Sequence, residues 1–139
     1  MGQQQLLLIV LGVIIVGIAV VVGINVFTAS SMDANRNGVI SDLTNLASMA
    51  QQYYRKPTAL AGGGNTFDAS SPSGGVAWKI PASLDTTANG IYNKIAPTIG
   101  PQSITLVGIG TDIGNDGKKP VQVTMVVGPN AITSTTIDN

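Results

Sequence analysis

One stretch of this sequence carries oxygen ligands at the spacing of a calcium-binding loop. In Asp33–Ser41, side-chain oxygens stand at positions 1, 3, 5 and 9, and a glycine stands at position 6. These are the positions at which such a loop supplies its ligands and makes its sharp turn. The loop also needs a bidentate Glu at position 12, where this sequence has Thr44, and the chain contains no Glu. We therefore keep a calcium-binding module as an alternative and favour a polar kink or solvated stretch between two helical halves.

The remaining side chains offer little for catalysis. The chain has no Cys and no His, and its seven acidic and seven basic residues give zero net charge. This composition excludes disulfides, thiolate or imidazole metal sites and His-dependent triads. The run Gly62–Gly64 lacks the preceding strand and the following Lys of a phosphate-binding loop. The balanced charge also lacks the basic surface that nucleic acid requires. We predict no enzymatic activity, no cofactor and no nucleic-acid partner.

The elements of the chain are organised around an uncharged apolar run, Leu6–Ile24. Its nineteen residues include no polar side chain, and the first charged residue is Asp33. As a helix the run would be about 28 Å long, which matches the roughly 30 Å hydrocarbon core of a bilayer. Gly12, Gly17 and Gly23 interrupt the run and would let neighbouring helices approach closely. Such a segment needs either lipid or copies of itself around it.

The helical pattern continues beyond the apolar run. Apolar residues recur at steps of three and four: Val39, Leu43, Leu46, Ala50 and Tyr53. This spacing defines one apolar face of a helix. Pro57 ends the pattern, and Arg55 and Lys56 stand in the last turn, where positive charge suits the helix dipole. We predict one long helix over residues 3–56, about 80 Å in length, with an apolar half and an amphipathic half.

The order of these features resembles a type IV pilin-like protein, especially the short-leader class III signals of archaeal and some bacterial pilins. The start Met1-Gly2, the polar triplet Gln3-Gln4-Gln5, the apolar run and its amphipathic continuation carry the resemblance. In that family a prepilin peptidase cuts after a Gly just before the apolar segment. The resemblance therefore implies residues 1–2 as a leader and processing between Gly2 and Gln3. Leu7 then stands where many bacterial pilins carry a Glu that archaeal-type filaments generally lack.

The resemblance further implies a structural major subunit of an extracellular filament at the cell surface, with a membrane-inserted precursor. Its partners would be copies of itself, the inner membrane before assembly, the prepilin peptidase and the pilus assembly machinery. The alternative is a single-span membrane-anchored surface or periplasmic protein, such as a pseudopilin-like secretion component. The implied assembly residues are Leu6, Leu7, Leu8, Ile9, Val10, Leu11, Gly12, Val13, Ile14, Ile15, Val16, Gly17, Ile18, Val20, Val21, Val22, Gly23 and Ile24.

Residues 57–139 read as a small β-rich globular domain. Period-two apolar patterns predict strands over 103–111 and 121–127, joined at the Asp-Gly hairpin signal Asp116-Gly117. Shorter candidates are a strand over 76–80 and a strand over 131–137, whereas 58–75 reads as a loop. Residues 91–95 could form a short helix or a strand, and we favour the helix. The expected fold is α+β, an antiparallel sheet of three to four strands covered by the amphipathic half of the helix.

Overall fold

Helix α1, Gly2–Arg55, accounts for 54 residues of the protein. The computed structural model describes residues 2–72 and 74–139. At about 1.5 Å per residue α1 is about 80 Å long, and the predicted helix over 3–56 is confirmed within one residue at each end. The helix runs without a break through Asp33–Ser41, so this stretch does not separate two helices; its Asp33, Asn37 and Ser41 are exposed, whereas Val39 is buried.

The rest of the domain contributes one antiparallel sheet. Its strands are β1 Gly90–Ile91, β2 Thr98–Ile99, β3 Ile104–Ile113, β4 Pro120–Val127 and β5 Ile132–Ile137. The order across the sheet is β1-β3-β4-β5, and β2 also pairs with β3. The α+β prediction is therefore confirmed. The two strands predicted from period-two patterns are β3 and β4, the candidate strand over 131–137 is β5, and two short strands are added along β3.

The core lies between the amphipathic half of α1 and one face of the sheet. On β4 every second residue is buried, as expected for a strand with one covered face. The residues of α1 that are buried against the sheet are Val39, Leu43, Leu46, Ala47 and Ala50. The predicted apolar face of the helix is thus the cover of the sheet, with Tyr53 partly buried at its end.

Two glycines on β3 let the helix come close to the sheet. A Cβ at Gly108 would lie 2.7 Å from Cγ1 of Val39, and a Cβ at Gly110 would overlap the side-chain amide of Asn35. Gly108 and Gly110 are two residues apart and share a face of the strand. The missing side chains make room for α1 where it crosses β3.

The glycine run Gly62–Gly64 forms hydrogen bonds with the C-terminal end of α1. The N–H groups of Gly63 and Gly64 donate to the carbonyls of Tyr53 and Lys56 at 2.8 and 3.0 Å. Tyr53 lies in the last turn of α1, where carbonyls have no hydrogen-bond donor within the helix, and Lys56 follows the helix directly. Gly64 has φ +58°, a conformation that glycine adopts without strain. The run thus caps α1.

Two of the shorter predictions were wrong. Residues 76–80 are not a strand, because their backbone pairs elsewhere: the Trp78 N–H donates to Phe67 O at 2.9 Å, and Tyr53 OH donates to Val76 O. Residues 91–95 do not form the favoured helix. Gly90–Ile91 pairs with β3 as strand β1, and Tyr92 then enters the core, where it is 1% exposed.

Candidate assembly surface

The first half of α1 is exposed on every side. Its fifteen large apolar side chains between Leu6 and Ile24 are each 53–69% exposed. These values leave shielding only by neighbours on the same helix, and none of the residues in the described part of the chain covers the run. The structure therefore places all the predicted assembly residues on one bare apolar cylinder, Leu6–Ile24, which we call the apolar half.

The apolar half has the length and composition of a membrane span. Among residues 2–72 and 74–139, α1 is the one helix that is long and apolar enough to cross a bilayer. This observation supports a membrane-inserted state and is equally compatible with burial among copies of the helix.

The glycines of the apolar half leave room for a neighbour. A Cβ at Gly12, Gly17 or Gly23 would meet nothing within 4 Å. Gly12 and Gly23 are eleven residues apart, about three helical turns, so they lie on the same side of the helix. Gly17 faces elsewhere. Helices in apolar surroundings approach most closely at such small residues.

The predicted processing residues lie at the far end of this half. Gly2 is the first residue of α1 and Gln3 follows in the same turn. A Cβ at Gly2 would meet nothing within 4 Å. Met1, the other residue of the expected leader, lies outside the described residues. The site implied for a peptidase is thus separated from the sheet by the whole apolar half.

A set of polar contacts ties the helix to the domain just beyond the apolar half. Ser31 Oγ donates to Asp112 Oδ2 at 2.7 Å, and Asn35 Nδ2 donates to Asn89 O at 2.9 Å and to Thr111 Oγ1 at 3.1 Å. Beside them lies a groove of about 290 Å³ with mostly apolar walls, which include Phe27, Thr28, Met32 and Ile113. The exit of the helix from the domain is therefore held by side chains from β3 and by a backbone carbonyl of the loop before β1.

A second polar cluster, which we call the Asp42 cluster, holds the middle of the amphipathic half. Asp42 Oδ2 accepts hydrogen bonds from Tyr92 OH at 2.6 Å, Thr87 Oγ1 at 2.7 Å and Asn89 Nδ2 at 3.0 Å. Partial burial raises the pKa of Asp42, but the hydrogen bonds from Thr87, Tyr92 and Asn89 together outweigh it and hold the pKa below its usual value. Burial, followed by the hydrogen bond to Asp42, raises the pKa of Tyr92. The cluster fixes the segment around β1 against the helix.

The calcium-like segment has a different geometry from the one its spacing suggested. Asp33–Ser41 is helical throughout, and Arg36 Nη1 forms an ion pair with Asp33 Oδ1 at 3.1 Å. A calcium loop must wrap its ligands around one point, whereas a helix spreads positions 1, 3, 5 and 9 around its axis. Over residues 2–72 and 74–139, no group of three acidic side chains lies close enough to hold a metal ion.

Sequence reasoning missed the polar residues that orient the domain. Asp42 precedes the core residue Leu43, and Asn35 precedes Val39 by one turn, so both flank the apolar face of the helix. In the sequence, each of the two could have been recognised as a polar residue at the border of a buried helix face. The residues of the loop before β1 that bind Asn35 and Asp42 show no sequence pattern that predicts these contacts.

Comparisons of this chain with protein-family models, with curated proteins and with solved structures gave no match. The resemblance to type IV pilins therefore rests on the residues before Asn25 and on the order of the elements.

Proposed function

We propose that this protein is a structural subunit of a type IV pilus-like extracellular filament, and that the apolar half of α1 builds the filament core. One observation carries the proposal. A bare apolar cylinder continues, without a break in the helix, into an amphipathic half that is clamped on a folded domain. This arrangement exposes a surface for many neighbours while the domain keeps its own core.

The energetics require that the apolar half be covered. Burial of a single Val, Leu or Ile side chain is worth about 1.5–3 kcal/mol, and fifteen such side chains are exposed here. Covering all fifteen is therefore worth at least as much as the whole stability of a typical domain, about 5–15 kcal/mol. The apolar half is therefore covered by lipid in the precursor and by copies of itself in the filament.

The two environments differ in what holds the helices together. Lipid chains are as apolar as Leu, so helices in a bilayer gain little from apolar burial on association and rely on close packing. The open positions at Gly12, Gly17 and Gly23 provide sites for such packing. Transfer from membrane to filament consequently needs the assembly machinery, and the finished core is held by packing between helices.

The proposal includes processing between Gly2 and Gln3 by a prepilin peptidase. The two residues lie at the start of α1, one turn before the apolar half begins at Leu6. In a membrane-inserted precursor this end would stand at the bilayer surface, which is where a peptidase of that membrane would meet it.

The second candidate is a single-span membrane-anchored protein, such as a pseudopilin-like secretion component. It is favoured by the match between the length of the apolar half, about 28 Å, and the hydrocarbon core of a bilayer. It differs from the first candidate in one respect: the apolar half stays in lipid.

Shearing of cells that produce the protein separates the two candidates. The filament proposal predicts thin filaments in the supernatant by electron microscopy, with a subunit mass that lacks Met1-Gly2. Gly2→Val should keep the leader attached and leave the chain in the membrane fraction, whereas Gln4→Ala, two residues away, should still give filaments. An intact wild-type chain recovered only from membranes would refute the filament and the processing site together.

A further inference from the structure

Strand β5 leaves one long edge of the sheet open. It pairs with β4 on one side, and all residues of Ala131–Ile137 are exposed. In an antiparallel ladder about half of the N–H and C=O groups of an edge strand point away from its partner. These groups form a row to which another strand can bind.

This edge has little of the usual protection against pairing. Proteins block open edges with charges, prolines, bulges or very short strands. Ala131–Ile137 contains no charged residue, no Pro and no Gly. A register irregularity lies at the Val127↔Ile132 end, whereas Ser134–Ile137 pairs regularly with β4. Asp138, the next charged residue, is engaged by Thr124 Oγ1 at 2.7 Å.

In contrast, the opposite edge of the sheet is protected against pairing with another strand. There β3 carries β1 and β2, which have two residues each, and Thr86 bridges Ile91 on the outer side of β1. Within residues 2–72 and 74–139, β5 therefore supplies the one long open edge. Because a head-to-tail contact would need a second edge of similar length, pairing between identical copies must bring β5 against β5.

We infer that β5 pairs antiparallel with β5 of a second copy of this chain. The composition supports an identical partner: six of the seven residues in Ala131–Ile137 are Ile, Thr or Ser, and uncharged segments of high β-propensity pair readily with copies of themselves. A two-fold axis requires one residue to stand opposite itself. Centring on Ser134 sets Ser134–Ile137, the regularly paired part of each strand, opposite residues 131–134 of the other copy and places Thr133 opposite Thr135. Hydroxyl pairs of this kind stabilise neighbouring strands.

The symmetry of this pairing determines which copies it joins. A two-fold axis perpendicular to the sheet reverses every direction in the plane of the sheet. Helix α1 packs on the sheet face, so the helices of two paired copies run in opposite directions. Copies within one polar filament all point the same way. If the proposed function holds, the pairing therefore connects two filaments that lie side by side and antiparallel. This step rests on the proposed function. One pair of strands is weak, but its repetition along two filaments adds up.

Single cysteines test the register, because the native chain has none. We would oxidise Ser134→Cys and Thr136→Cys variants of the full chain in detergent and compare their disulfide dimers. In the Ser134→Cys variant the thiols of two copies would stand opposite each other, about 5 Å apart between Cα atoms. In the Thr136→Cys variant the two Cα atoms would be about 13 Å apart along the strands. We expect several-fold more dimer from Ser134→Cys, with both variants retaining the fluorescence of buried Trp78. Equal yields, or no dimer from either, would overturn the inference.

A lysine on the edge tests the same contact in filaments. Ser134→Lys would bring like charges together at the two-fold axis, so we expect its filaments to stay single under conditions in which wild-type filaments align laterally. Thr44→Lys adds the same charge on the exposed face of α1 and should align as the wild type does. Alignment of the Ser134→Lys filaments to the wild-type extent would overturn the inference. Absence of any filament would count against the proposed function, while the detergent cross-linking would still decide the pairing.

Discussion

A charge at the centre of the apolar half should abolish assembly and leave the globular domain intact. Ile15 is the middle residue of Leu6–Ile24, and its side chain is 56% exposed. It lies far along α1 from Val39, the first buried residue of the helix. Ile15→Asp therefore affects only one half of the molecule. It changes the surface that the apolar half offers to lipid and to other copies, and it removes no contact within the domain.

The size of the effect follows from the cost of a charge in an apolar environment. At the centre of a membrane helix, Asp costs about 2.5–3.5 kcal/mol and Ile contributes about −0.3 to −0.6 kcal/mol. The exchange is therefore unfavourable by about 3–4 kcal/mol, or roughly 10²- to 10³-fold in an equilibrium constant. In a filament the penalty applies to every subunit, because each copy buries the same position.

Two measurements on the same variant check the reasoning. Filament yield after shearing and the membrane-bound fraction of cells should both fall strongly for Ile15→Asp. The free energy of unfolding of the domain in detergent, followed by the fluorescence of Trp78, should stay within about 0.5 kcal/mol of the wild type. Trp78 is the single Trp and is 4% exposed, so it reports on the domain core.

Two matched variants serve as controls for Ile15→Asp. Ile15→Leu keeps the apolar surface and should assemble normally. Ser48→Asp adds the same charge on the exposed face of the amphipathic half and should also assemble. A lower free energy of unfolding for Ile15→Asp would show that the apolar half packs on its own domain. Normal filaments from Ile15→Asp would show that the apolar half is not buried in the core.

Three further outcomes follow from the contacts of the amphipathic half. Leu43→Ala removes a fully buried side chain and should lower the free energy of unfolding by about 3 kcal/mol, as followed by the fluorescence of Trp78 in a denaturant titration. Because the hydrogen bonds lower the pKa of Asp42 in the folded state, its contribution to stability is present above about pH 4 and lost below it; Asp42→Asn should be less stable than the wild type at pH 7, and the difference should shrink on acidification. Micromolar Ca²⁺ should leave the melting temperature unchanged, since Asp33–Ser41 is helical, and a clear rise would restore the calcium hypothesis.

The elements of the fold that have a strong periodicity of apolar residues could be predicted from the sequence. The run Leu6–Ile24, the repeat from Val39 to Tyr53 and the alternation in β3 and β4 are each set by one dominant requirement, the burial of apolar side chains at a fixed spacing. Pro57 and the Asp-Gly turn then mark where these elements end. For these segments local pattern and tertiary environment agree, so the boundaries came out within one or two residues.

The conformation of the segment between α1 and β3 could not be predicted from the sequence, because contacts with residues distant in sequence determine it. Residues 76–80 have a strand-like composition, yet their backbone groups pair with Phe67 and Tyr53. Tyr92 looked like part of a helix, but its ring fills the core and its hydroxyl reaches Asp42. In both places tertiary contacts override a short local preference.

The two polar clusters on α1 fix the orientation of the helix on the domain. An apolar interface alone lets a helix rotate or slide by a turn at small cost, because one apolar side chain replaces another. Ser31, Asn35 and Asp42 prevent this, since a rotation would leave buried partners such as the hydroxyl of Tyr92 without a hydrogen bond. The face of the apolar half that carries Gly12 and Gly23 therefore has a fixed direction relative to β5. In a filament with a regular core, every copy of the open edge would consequently take an equivalent position relative to the filament axis, which is the condition for a repeated contact between filaments.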